Sequence, residues 1–188
     1  MNWALFTLLL WLSVGFDVGF RDALQLGHLA IAPSCTFVLL TYVCVWASRG
    51  SMIVCAAIAG LLIDLTSPVV ISGGQTIALV GPNALGCMLG AALVMNLRAV
   101  MFRKNVLTLG VLAMLLSLVT SVVVVALLTV RARYDTVVFV SPSGELGERA
   151  LSAVLTGVLG VVLAIPLAWL RPAFGFRKIA AAYPRMRH

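Results

Sequence analysis

Residues Val106–Val130 read "VLTLGVLAMLLSLVTSVVVVALLTV", 25 positions without a charge or a proline. A helix crosses the hydrocarbon core of a bilayer with about 20 such residues, so this run reads as a membrane span. Outward from it the chain repeats the pattern. Of 188 residues, 62% are hydrophobic and only 10% are charged, with a mean hydropathy of +1.13. Soluble domains are nearer half apolar and a quarter charged. The composition therefore predicts an all-α integral membrane protein.

Six candidate spans emerge: Trp3–Phe20, Leu29–Ala47, Met52–Leu65, Thr76–Leu97, Val106–Val130 and Ala150–Leu170. Residues 1–170 thus read as one polytopic domain, with a basic tail over 171–188. The third span is short if Ser67-Pro68 ends it, since proline disfavours helix at the residue before it. Val69–Gly74 would then be irregular or re-entrant, and five spans with a hairpin is the other count. The one long loop, Arg131–Arg149, reads as external, with a short strand over Thr136–Val140 and a turn at Ser141–Gly144. No internal duplication shows by eye. The N-terminal "MNWALFTLLLWLSVGF" lacks a basic leader and a clear cleavage site, so it reads as an uncleaved first helix.

The net charge of +7 has its use in orientation. With the N-terminus in the cytoplasm, one side receives Arg49, Arg98, Arg103, Lys104, Arg171, Arg177, Lys178, Arg185 and Arg187 and no acid. The other receives Arg21, Arg131, Arg133 and Arg149 with Asp22, Asp135, Glu145 and Glu148. Basic residues accumulate on the cytoplasmic side of membrane proteins, which predicts cytoplasmic termini and speaks against nucleic acid as the partner. Near an anionic leaflet each cation of the tail contributes about 1 kcal/mol. Arg171, Arg177, Lys178, Arg185 and Arg187 are accordingly the lipid-surface candidates, with Phe174, Phe176 and Tyr183 at headgroup level.

Chemistry is sparse. Asp64 is the acid inside a well-defined span, where a charge is costly and tends to face protein or water. It lies one helical turn after Gly60 and so shares its face, which would let a neighbour approach beside the carboxylate. At the end of its span it could instead be hydrated or accept backbone N–H groups of the next turn. Asp17, at the edge of the first span, is less demanding. No second acid stands beside Asp64 for two-carboxylate chemistry, and His28 has no G-x-S-x-G elbow to serve. Cys35, Cys44, Cys55 and Cys87 lack C-x-x-C spacing and read as small buried hydrophobes. "GGQTIALVGPNALG" has no G-K-[ST] ending for a nucleotide. No catalytic, cofactor or metal site is expected. Gly86-x-x-x-Gly90, and Ala113, Ser117 and Ser121, are small-residue faces that let helices approach closely, within this chain or against another.

Taken together the chain resembles the MreD family, the small membrane component of the bacterial rod-shape complex. The resemblance is carried by Pro33, which opens the second span, by "YVCVWASRG" at Tyr42–Gly50, and by Gly60, Asp64, Leu65 and Ser67 in "AAIAGLLIDLTSPVV". Gly73-Gly74-Gln75 stands where the family continues with a glycine-hydrophobic-histidine pattern. The resemblance implies a compact bundle of about six helices, similar to the substrate-binding subunits of energy-coupling-factor transporters. It implies a non-catalytic scaffold in the bacterial inner membrane, binding MreC and, through the complex, RodA, its penicillin-binding transpeptidase and MreB. Pro33, Gly60, Asp64, Ser67, Pro68, Gly74, Gly86 and Gly90 would be structural or partner-interface positions. The rival reading is a vitamin-binding transporter subunit with an outer pocket of Asp64, Gln75, Asn83 and the 131–149 loop. A lipid-modifying enzyme would need Asp64 or His28 for turnover.

Overall fold

The structure is a computed structural model, which describes residues 2–19, 32–67, 69–70, 76–77, 79–98, 106–131, 142–170 and 172–175. These residues form six helices: α1 Trp3–Gly19, α2 Cys35–Trp46, α3 Arg49–Thr66, α4 Pro82–Leu97, α5 Val106–Arg131 and α6 Pro142–Leu170. Two two-residue strands, β1 Val69–Val70 and β2 Thr76–Ile77, pair antiparallel with Val69 opposite Ile77. Three helices (α3, α5 and residues Leu146–Leu170 of α6) are long and apolar enough to cross a membrane. That is compatible with a membrane protein. Among the described residues the other three are shorter apolar helices, α1, α2 and α4.

The centre of the bundle is α2. It touches all five other helices, and nine of its twelve residues are buried. At 1.5 Å per residue it is only about 18 Å long, short of the roughly 30 Å hydrocarbon core. The expected span Leu29–Ala47 therefore begins six residues late, after an extended approach over Ala32–Ser34; residues 29–31 lie outside the described residues. Pro33 does not open the helix but stands in that approach, where its ring disfavours helix in the residue before it.

Other boundaries move for local reasons. Helix α3 starts at Arg49, not Met52, directly after a break at Ala47-Ser48. Helix α4 starts at Pro82, not Thr76, because Thr76–Ile77 pair with Val69–Val70 and Gly81 takes φ 127°, outside any helix. Proline suits the first helical position, where its missing N–H is not needed. The same preference explains α6. Pro142–Gly144 begin that helix rather than a turn, so Arg131 and 142–149 of the expected loop are helical; residues 132–141, with the strand expected at 136–140, lie outside the described residues.

Each helix runs antiparallel to the next. Gly90 packs on Leu116 and Gly86 on Thr120, and Gly110 lies against Gly157 and Val161. The chain thus brings the start of α1, the end of α2 and the end of α6 to one end of the bundle. There Asn2 N donates to Phe174 O at 2.9 Å, and the Tyr42 and Phe174 rings stand 5.7 Å apart. Phe174 is wholly buried at this end of the bundle. Gly175, at φ 58°, follows in a left-handed conformation natural to glycine. The bundle therefore extends past Leu170, through Phe174.

The outside of the bundle is apolar. Trp169 is 81% exposed, and Leu107, Leu12 and Trp11 are similarly open; in water such a surface would aggregate. Inside, threonines bond their own helix, with Thr41, Thr120 and Thr156 donating to the carbonyls of Phe37, Leu116 and Ser152 one turn back. That satisfies hydroxyls where no water reaches.

Helices α5 and α6 meet at glycines. A methyl group on Gly110 would stand 2.5 Å from Val161 Cγ2 and 2.6 Å from Gly157 O, and Gly160 lies against Gly110 and Ala113. Substitution G110A should force this pair apart at a cost of about 2 kcal/mol, in the range of overpacked cores. A lower unfolding midpoint in detergent is the readout, and an unchanged midpoint would deny the contact.

Candidate functional site

Asp64 lies near the end of α3 and is 1% exposed. Its carboxylate holds the start of α4. Oδ2 accepts from Gly81 N at 2.8 Å and Ala84 N at 3.3 Å, and Oδ1 accepts from Asn83 N at 3.0 Å and Asn83 Nδ2 at 2.9 Å. The first N–H groups of any helix lack partners within it, and a negative charge there is favoured by the helix dipole. Asp64 thus supplies from a neighbouring helix what an N-cap residue ordinarily supplies from its own. Gly60 makes the approach possible. A methyl group there would press on Ala84 Cα, with Ala84 N at 2.7 Å and Asn83 O at 2.8 Å. Glycine and acid act together, one turn apart on one face.

Asp17, set aside by the sequence reading, does the same work for α2. Its Oδ2 accepts from Ser34 Oγ at 2.7 Å and Thr36 N at 3.1 Å, and its Oδ1 from Cys35 N at 2.7 Å. Helix α6 joins the junction. Ser34 N donates to Thr156 Oγ1 at 3.1 Å, and Ser152 Oγ donates to Ala32 O. The available signal was an acid ending one apolar helix and Ser34-Cys35-Thr36 starting the next, since serine is a favoured N-cap.

The other end of α2 is held by a cation. Arg98 Nη1 donates to the carbonyls of Cys44 at 2.6 Å, Val45 at 3.3 Å and Ala47 at 2.9 Å. The last carbonyls of a helix lack intrahelical donors, and positive charge is favoured there. Arg98 was expected only as one of the cytoplasmic positive charges, so its bonds to α2 are a role the sequence reading missed. Substitution R98A should cost about 1–2 kcal/mol, the scale of a lost charged hydrogen bond, with R98K recovering part of it. Thermal unfolding of the two variants checks this. Equal stability of R98A and the parent would contradict it.

The remaining expected positions divide clearly. Gly86 packs on Thr120 and Gly90 on Leu116, so both serve contacts inside the chain. Ala113 lies against Gly160, and Ser117 and Ser121 are buried. Ser67 is the C-cap residue of α3. Cys44, Cys55 and Cys87 are fully buried free thiols, and Cys35 is half-buried. Pro68, Gly74, Gln75, His28, Arg171, Arg177, Lys178, Arg185 and Arg187 lie outside the described residues. The outer pocket of the transporter reading needs Asp64 and Asn83 for a ligand, yet these two are bonded to each other. Among the described residues no group of three His, Cys, Asp or Glu could hold a metal ion.

Comparison with protein-family models, with curated proteins and with solved structures finds no match to this chain.

Proposed function

We propose that this chain is a non-catalytic membrane scaffold of the MreD type. In this reading it spans the bacterial inner membrane with both termini in the cytoplasm, and it holds the single-span partner MreC beside RodA, its penicillin-binding transpeptidase and MreB. The observation that carries the proposal is the engagement of the two inner carboxylates. Asp17 and Asp64 each spend both oxygens on the first turn of a neighbouring helix. Acids so engaged build a frame rather than a reacting centre, and Gly60, Gly86 and Gly90 are absorbed into the same frame.

Two further features support the reading. Asn2 and Phe174 meet at one end of the bundle, which agrees with termini on one side of a membrane. The outward faces of the helices are apolar, as lipid or a partner's membrane helix requires. Arg177, Lys178, Arg185 and Arg187 then serve as a basic edge toward anionic lipid.

The test is gentle detergent extraction of the tagged full-length chain from its native membrane, followed by mass spectrometry of what co-purifies. Recovery of MreC with RodA or the transpeptidase is the expected result. Recovery of transporter ATPase subunits or a bound metabolite, without wall-synthesis proteins, would overturn it.

A further inference from the structure

One arrangement occurs twice in this chain at a fixed offset of 47 residues, from 17 to 64. Helix α1 ends at Gly19, two residues after Asp17, and α3 ends at Thr66, two residues after Asp64. Helix α2 begins at Cys35 and α4 at Pro82, each 18 residues after its acid. In both places the carboxylate returns to that helix start. Asp17 receives Ser34, Cys35 and Thr36, and Asp64 receives Gly81, Asn83 and Ala84. The two helix pairs also run the same way, since α1 and α3 both start at the end where Arg98 meets α2.

The differences between the two sites follow from single residues. Cys35 donates its N–H to the first carboxylate, whereas its counterpart Pro82 has none to give. The second carboxylate makes up the deficit one residue further on, at Ala84 N, and from the Asn83 side-chain amide. Four residues before each acid stand Ser13 and Gly60. At the second site the missing side chain brings α3 onto the backbone of α4 at Ala84 and Asn83.

Coincidence is a poor account of this spacing. A carboxylate could reach a helix start across a connection of many lengths, and a change of one residue would turn the first donors by about 100° around the helix axis. We infer that α1–α2 and α3–α4 are two tandem copies of one helix-pair unit, and that Asp17 and Asp64 are the same positioning residue in each. The acid is a latch that sets where the second helix of its unit begins. Parallel repeats of this kind are a known way of building membrane bundles. The inference does not depend on what the protein recruits. It assigns the start of each second helix to the latch and its spacing, and leaves the sequence between them exchangeable.

The test is segment exchange in the full-length chain. Residues 17–35 are replaced by the sequence of 64–82, and in the reciprocal exchange 64–82 by the sequence of 17–35; both segments have 19 residues, so no length changes. Hydrogen exchange in detergent reads the amide of position 36 in the first and position 83 in the second. At least one exchanged chain is expected to fold with that amide protected to within about threefold of the parent. D17N in the parent should speed exchange at Cys35 and Thr36 about tenfold, the scale of a lost helix cap, and leave Asn83 and Ala84 unchanged. Removing one residue from the transplanted segment should abolish protection. Failure of both exchanges to fold would overturn the inference, and so would protection that survives the one-residue deletion.

Discussion

Replacing Asp64 with leucine is expected to destabilise the protein by about 3–5 kcal/mol, seen as a large drop in the unfolding midpoint in detergent. Leucine shares aspartate's γ-branched shape and number of heavy atoms, so no cavity is opened. What disappears is the acceptor for four donors, the N–H groups of Gly81, Asn83 and Ala84 and the Asn83 amide. Each buried donor left without a partner costs about 1–3 kcal/mol, partly recovered by local fraying of α4. The favourable charge at the helix start, about 0.3–1 kcal/mol or more, is lost as well. Asparagine retains one acceptor oxygen but turns an NH2 toward the other two donors, so it should cost less than leucine, about 2–3 kcal/mol. A ligand-binding or catalytic acid would show the opposite pattern, with lost binding or turnover and unchanged stability. A leucine variant as stable as the parent would refute the capping role.

The same bonds show where a sequence stops being informative. Val106–Val130 was legible because hydropathy alone defines a long uncharged span, and α5 differs from it by one residue. That Asp64 and Gly60 share a face was legible from helical periodicity. Their partner was not, because the bonds cross 17–20 residues of chain and no local pattern points to Gly81–Ala84. Asp17 was undervalued for a related reason. Its cost was judged by depth in the span, whereas its role depends on which helix starts beside it.

Other misreadings came from residues with two uses. Pro142 favours a turn and equally the first position of a helix, and α6 runs from it through Glu145, Glu148 and Arg149. Leu29–Ala47 is uncharged throughout, and hydropathy does not separate an extended approach from a helix. Gly110, Gly157 and Gly160 lie on two helices and form no motif in sequence, yet they make the α5–α6 contact. Phe174 sits among basic residues and looks like an interfacial anchor, but the turn at 172–175 returns it to Tyr42.

Gly60 carries the second large effect. Alanine is the better helix former by about 1 kcal/mol, so on propensity alone G60A should stabilise α3. Here it is expected to destabilise the protein by about 3 kcal/mol, at the upper end of overpacking costs. The added methyl meets the backbone of α4 at Ala84 and Asn83 rather than a flexible side chain, so one helix must move. Helix α4 has little room to retreat, because Gly86 and Gly90 already hold it against Thr120 and Leu116 of α5. Any separation of α3 from α4 also stretches the Asp64 bonds, which lie at 2.8–3.3 Å. The losses from G60A and D64N should therefore overlap, and the double variant should fall short of their sum by about 1 kcal/mol, as residues sharing one contact do. Unfolding midpoints of the two single variants and the double variant measure this directly. A stabilised G60A would mean that the helices are not in backbone contact at Gly60, and strict additivity would mean that the glycine and the carboxylate act separately.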